Sequence, residues 1–184
     1  MTTEIIASLK LFDWQKIIDY GNSLDDLNGA QLRFLKGLAV EQAVEVFGDS
    51  NLTYVGEKHR DYKWPKYNAS VELKSIFSQR MYDRKGNIKG LPSIRLNNSM
   101  GTNKSVLDPD TIADMLIVVV KDGAFFVSKN TVLSKAKHLG DGWELKLTKS
   151  DITELSGFVT LKCKYNTNIS EAIKDAIKQS LSSI

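Results

Sequence analysis

Cysteine is nearly absent: one, Cys163, in 184 residues. That excludes an internal disulfide and a cysteine-built zinc cage, and a reducing, cytosolic location is expected. Proline is scarce, with three in the chain, and no linker, internal repeat or low-complexity tract stands out. The two histidines, His59 and His138, are isolated. Neither has metal-ligand spacing or a serine or cysteine nucleophile nearby. No apolar run approaches the ~20 residues of a membrane span, so no membrane partner is expected. Met1-Thr2-Thr3-Glu4 lacks the basic start and apolar stretch of a secretory signal.

What is present fits an ordinary globule. A hydrophobic share of 42% and a charged share of 26% suit one domain over residues 1–184 with a proper core. Net charge is +3, mildly basic, and the excess is concentrated. Arg60, Lys63, Lys66, Lys74, Arg80, Arg84, Lys85, Lys89, Arg95 and Lys104 fall in one segment that holds only Asp61, Glu72 and Asp83 as acids. Such a segment reads as a polyanion-binding face, with a solvated loop face as the alternative.

Ile5, Leu9, Phe12, Ile17 and Tyr20 recur at helical spacing and predict a helix over 4–20, stopped by Gly21-Asn22. Residues 30–47 predict a second helix, apolar nearly all round and therefore mostly buried. On it Glu41 and Glu45 lie one turn apart and repel mildly. The periodicity then changes. Strands are predicted at 52–62 and 69–77, joined by a turn at Trp64-Pro65-Lys66-Tyr67-Asn68. Residues 79–105 are polar and irregular, a long loop of the kind that carries function. Met115 to Val120 is a continuous apolar run suited to a central strand covered on both faces. Lys121-Asp122-Gly123 turns it back through 124–128. A short helix is predicted at 131–138, strands at 143–148 and 157–165, and a last helix from Ser170. Helices, then strands, then a helix imply an α/β or α+β fold with a mixed central sheet flanked by helices.

Glu72-Leu73-Lys74 is the motif with chemistry in it. Side chains alternate along a strand, so Glu72 and Lys74 share a face. Asp61, across a turn, brings a second carboxylate. Two carboxylates can hold Mg²⁺ through oxygen, and a lysine beside them can position a water. Acid-x-lysine triplets are common here: Asp61-Tyr62-Lys63, Asp83-Arg84-Lys85 and Glu144-Leu145-Lys146 also fit the pattern. Only Glu72-Leu73-Lys74 combines a predicted strand, an upstream acid across a turn and a preceding glutamate-bearing helix. The alternative is a salt-bridged pair on a sheet face. Cys163 reads as a small core residue, and Trp14, Trp64 and Trp143 as core or interface. Trp64, next to the motif, is the tryptophan to test for base stacking.

Glu41 on its helix, then Asp61, then Glu72-Leu73-Lys74-Ser75-Ile76, then the buried strand after Ala113-Asp114, resembles the PD-(D/E)XK nucleases. Within them the likeness is to type II restriction endonucleases of the PvuII and EcoRV kind, over residues 30–120. The family name implies a proline before the first acid. Here Arg60 stands there, which leaves Glu57 as a rival to Asp61. The resemblance implies a restriction-endonuclease-like core at 30–128. Asp61, Glu72 and the Leu73 carbonyl would bind Mg²⁺. Lys74 would orient or help deprotonate the attacking water, and Glu41 would complete the metal shell or bind a second ion. Ser75 reads as structural, and Asp114 as a local cap or pair.

The resemblance also implies a homodimer on double-stranded DNA, with residues 1–29 as a candidate dimer region and a companion DNA methyltransferase in the same system. Base edges are read by groove-reaching donors and acceptors. Residues 79–105 are the candidate recognition loop, with Asn97, Asn98, Ser99, Thr102, Asn103 and Lys104 as its contacts. A repair or junction-resolving nuclease and a non-catalytic DNA-binding module are the alternative functions.

Overall fold

Asp13 divides the N-terminal apolar stretch into two helices in the computed structural model, which describes residues 2–23, 30–57, 60–77, 79–85, 87–91, 93–96, 107, 109–139, 142–154 and 158–160. Its carboxylate accepts the Lys16 amide at 3.2 Å, and its own N–H donates to the Phe47 carbonyl. Satisfying an orphan amide in this way starts a helix. The single helix expected at 4–20 is therefore α1 (Thr2–Leu9) and α2 (Trp14–Ser23). Gly21 is not a stop. It lies inside α2, where a Cβ would sit 2.0 Å from the Phe77 ring, so glycine is there for close packing.

α3 spans Ala30–Phe47 as expected, but only one side of its second half is buried. Val40, Ala43 and Val44 are in the core, while Leu38 and Val46 are 41% and 68% exposed. The strand expected at 52–62 is a hairpin of β1 (Thr53–Glu57) and β2 (Arg60–Trp64). Gly56, with φ of +58°, sits where the register shifts between Tyr54 and Glu57. A left-handed backbone of this kind suits glycine and a bulge. The turn after β2 forms where expected. Pro65–Tyr67 make one 3₁₀ turn, and Asn68 closes it in the left-handed region with its N–H on the Pro65 carbonyl.

Next come β3 (Ala69–Ile76), β4 (Ile94–Leu96), β5 (Met115–Val120) and β6 (Gly123–Ser128). They are followed by α4 (Lys129–Lys135), β7 (Ala136–Leu139), β8 (Gly142–Leu145), α5 (Lys149–Glu154) and β9 (Phe158–Thr160). Among the described residues the strands form a six-stranded sheet, in the order β1-β2-β3-β5-β6-β9, and a three-stranded sheet, β4-β8-β7. β3 and β5 run parallel and the other neighbours antiparallel. The sheet is thus mixed, as expected.

β5 is the spine, with all six residues buried. Met115, Ile117 and Val119 pack with Trp14, Ile17, Val40 and Val44 on one face. Leu116, Val118 and Val120 pack with Ile94, Val132 and Leu145 on the other. Burying each such side chain contributes about 1.5–3 kcal/mol, so both faces hold the sheet. The second face is covered by the small sheet and α4. Part of the expected 79–105 loop belongs to that cover, since Met81, Leu91, Ile94 and Leu96 are buried.

The short helix expected at 131–138 is α4, capped by Ser128, whose Oγ accepts the Thr131 amide. It stops at Lys135, and 136–139 is strand. β9 covers part of the strand expected at 157–165. The final helix and Cys163 lie outside the described residues. No described helix is long and apolar enough to cross a membrane.

Candidate active site

β3 lies between β2 and β5. Val71 and Leu73 face the helices, in the same core as α3. Alternation turns Glu72 and Lys74 to the other face. Glu72 is 8% exposed and Lys74 is partly buried. The Lys74 ammonium donates to Glu72 Oε1. The other oxygen, Oε2, is buried with no hydrogen-bond partner among the described residues. A buried carboxylate oxygen without a donor costs several kcal/mol unless a cation or water supplies the missing contact.

Asp61 reaches the same strand. The β2–β3 ladder pairs Trp64 with Ala69, Lys63 with Ser70 and Tyr62 with Val71, and goes no further. One step on, Asp61 stands opposite Glu72, and its Oδ2 accepts the Leu73 amide at 2.6 Å. A side chain thus replaces the ladder partner where the two strands part. Within a strand, one residue's N–H and C=O point to the same edge. The Leu73 carbonyl therefore points to the same gap as the Asp61 carboxylate. Glu57, the rival first acid, is on β1, beyond β2. It is exposed and pairs with Lys63 at 3.5 Å. The ladder brings Asp61 to β3 and keeps Glu57 at the sheet edge.

Glu41 approaches from α3. Burial, and after it the charge of Asp61, push its carboxyl up to about 7; Lys74 opposes this, and Glu72 and Glu45 add to it. The Glu41 main-chain carbonyl accepts the Tyr62 hydroxyl at 2.7 Å, which fixes that turn of α3 over β2. Tyr62 itself is pushed well up, mainly by burial. Glu41 is thus within electrostatic reach of the other three residues. Among the described residues, however, no three His, Cys, Asp or Glu side chains form a ready cage for a metal.

The donor set fits Mg²⁺ all the same. This ion usually keeps several waters and takes one or two carboxylates. Asp61, Glu72 and the Leu73 carbonyl supply hard oxygens, and the orphaned Glu72 Oε2 is an acceptor in need of a partner.

The remaining sequence candidates separate clearly. Asp114 Oδ2 accepts both the Ser70 amide and hydroxyl at 2.8 Å, and the Asp114 amide donates back to Ser70 Oγ. It ties the starts of β3 and β5 together, as a local pair. Ser75 packs near Gly37 of α3, consistent with a structural role. Trp64 is not available for base stacking. It is fully buried between Phe12 and Tyr67, with Nε1 on Asp49. Trp14 is likewise core, and Trp143 packs against the second core and His138.

Asn97, Asn98, Ser99, Thr102, Asn103, Lys104 and His59 all lie outside the described residues. In the candidate dimer region, Ile5, Leu9, Phe12, Trp14, Ile17 and Ile18 are spent in the core of the same chain.

Two features escaped the sequence pattern. Asp122 is a buried acid that accepts the Met81 amide at 2.6 Å and the Tyr82 amide at 3.3 Å, fastening that segment to the β5–β6 turn. A turn aspartate carries no local signal for such a distant partner. The second feature is a pair of clefts. One, of about 350 Å³, opens beside Lys74 between β3 and the small sheet, with Arg95 and Glu144 in its walls. The other, of about 390 Å³, lies beside β2 and the start of β3. Both are on the Glu72 face. In comparisons with known proteins, no family model, curated protein or solved structure matches this chain.

Proposed function

We propose that this protein is a Mg²⁺-dependent DNA endonuclease of the type II restriction kind, acting as a homodimer on double-stranded DNA. One observation carries the reading. Where β2 and β3 part, the Asp61 carboxylate sits on the Leu73 amide beside a buried Glu72 that is held by Lys74 and keeps one oxygen without a partner. A salt bridge with a purely structural task has no need of a second carboxylate at that gap, nor of an orphaned oxygen.

In this reading Asp61, Glu72 and the Leu73 carbonyl hold the cation. Bound there, Mg²⁺ would supply Lewis-acid stabilisation of charge at the phosphate and make water more acidic. Lys74 orients the attacking water and offsets negative charge on the scissile phosphate. A bond forms between the water oxygen and phosphorus, and one bridging P–O bond breaks. The water's proton passes to solvent or to a nearby base, and the departing sugar oxygen takes a proton from solvent to leave as a hydroxyl. Glu41, whose carboxyl is raised to about 7 mainly by burial, would complete the metal shell or bind a second ion. Two-fold symmetry suits cleavage of both strands at a palindromic site, and a companion methyltransferase would protect the host's own sites.

The test is incubation with a long DNA of known sequence, with Mg²⁺ and with EDTA. Discrete fragments with Mg²⁺ alone are expected. Lys74→Ala should lower the rate by about 10²–10³-fold, the usual effect of removing one charge-stabilising group. If parent and variant behave alike, the enzymatic reading is wrong. Nicking that follows DNA shape and ignores sequence would replace restriction with junction resolution.

A further inference from the structure

The 390 Å³ cleft has a chemistry of its own. Arg60 and Lys63 enter its lining from β2 and Lys129 from α4, against one carboxylate, Asp114. That carboxylate is already engaged by Ser70. The Arg60 guanidinium donates to the Asp110 carbonyl, which anchors it. Lys63 has an exposed partner in Glu57 at 3.5 Å, a weak surface pair. Lys129 is half-buried and has no carboxylate partner among the described residues.

An excess of fixed positive charge in an open cleft calls for an anion. Among the described residues no ring in the wall is available for a base to stack on, since Trp64 is fully buried. An anion held through its oxygens alone, such as a phosphate, fits this wall. Position narrows this further. Ser70, in the cleft, is on the same face of β3 as Glu72, two residues away, or about 7 Å at ~3.3 Å per residue. Ile112 lines both this cleft and the small cavity at Glu72 and Lys74.

We propose that the cleft formed by Arg60, Lys63 and Lys129 seats a backbone phosphate of double-stranded DNA flanking the bond that is cut. The assignment rests on the nuclease reading above. Its role is to set the register of the strand, so it contributes affinity without base specificity.

The test separates binding from cleavage. Affinity of the full chain for a fluorescent DNA duplex is measured in EDTA over a series of salt concentrations. Each phosphate contact contributes about −0.9 to the slope of log K against log salt. Lys129→Gln should reduce the slope by about that amount, and Lys129→Arg should retain it. Lys10→Gln, on an exposed turn outside the cleft lining, should leave it unchanged. Thermal unfolding of each variant confirms that the fold is intact.

An unaltered slope in Lys129→Gln overturns the proposal, as does a parent that does not bind duplex. Inorganic phosphate is the second arm. If millimolar phosphate protects the parent, and not Lys129→Gln, against thermal unfolding yet leaves DNA binding unchanged, the cleft is a free-phosphate site and the backbone assignment is wrong. A parent that binds duplex with the slope effect intact but does not cleave it with Mg²⁺ would remove the nuclease reading and leave the phosphate site standing.

Discussion

Replacing Glu41 with glutamine should stabilise the protein at about pH 8 and change little at about pH 4.5. The carboxyl is raised from 4.5 to about 7 in the folded chain, so the folded state holds its proton more tightly than the unfolded state. Stability then falls as pH rises through that window and is flat above it. Glutamine resembles the protonated acid at every pH and escapes the loss. At ~1.36 kcal/mol per pKa unit, the full shift corresponds to about 3 kcal/mol. Glu41 is only half-buried, so water screens part of this, and about 1–2 kcal/mol is the expected gain. Near pH 4.5 only a few tenths should remain. The assay is urea unfolding of parent and variant at both pH values, analysed by linear extrapolation. Equal stability at pH 8, or a gain that does not depend on pH, would refute the placement of Glu41 beside Asp61 and Glu72.

Gly21→Ala should destabilise by about 1–3 kcal/mol through overpacking, because its Cβ would meet the Phe77 ring at 2.0 Å. Shortening the ring in a Phe77→Leu background should recover part of the loss, read as a non-additive cycle in chemical denaturation. Asp122→Ala leaves the Met81 and Tyr82 amides without their acceptor. About 2–3 kcal/mol should be lost, and hydrogen exchange at those two amides should speed up more than at β5.

The candidate site was legible in one dimension and ambiguous in the next. Alternation along 69–77 was enough to put Glu72 and Lys74 on one face. It did not choose between Asp61 and Glu57, because both precede the same turn. The choice came from the break between β1 and β2, which makes 52–62 a hairpin, so that Asp61 meets β3 and Glu57 meets Lys63. Trp64 was the tryptophan to test for stacking only because of its nearness in sequence to the motif. Its strand position turns it into the aromatic cluster with Phe12 and Tyr67. Lys129 had no signal at all. It stands 59 residues beyond Ser70, and only the parallel pairing of β3 with β5, followed by the β6 return, brings it to the same cleft.

By itself, the sequence determined the local order of this protein: helical periodicity on α3, a buried run for β5, the turn at Pro65–Asn68, and an acid and a lysine on one face of β3. These follow from short-range rules of spacing, sterics and alternation that act within a few residues. The tertiary structure alone decided which strands pair, where the β2–β3 ladder ends, and which acid takes the Leu73 amide. It also decided that a turn aspartate, Asp122, fastens a segment some 40 residues away in the chain. Those outcomes depend on long-range register and burial. The competing options, such as Asp61 against Glu57, differ little in local energy until the two core faces of the sheet are filled.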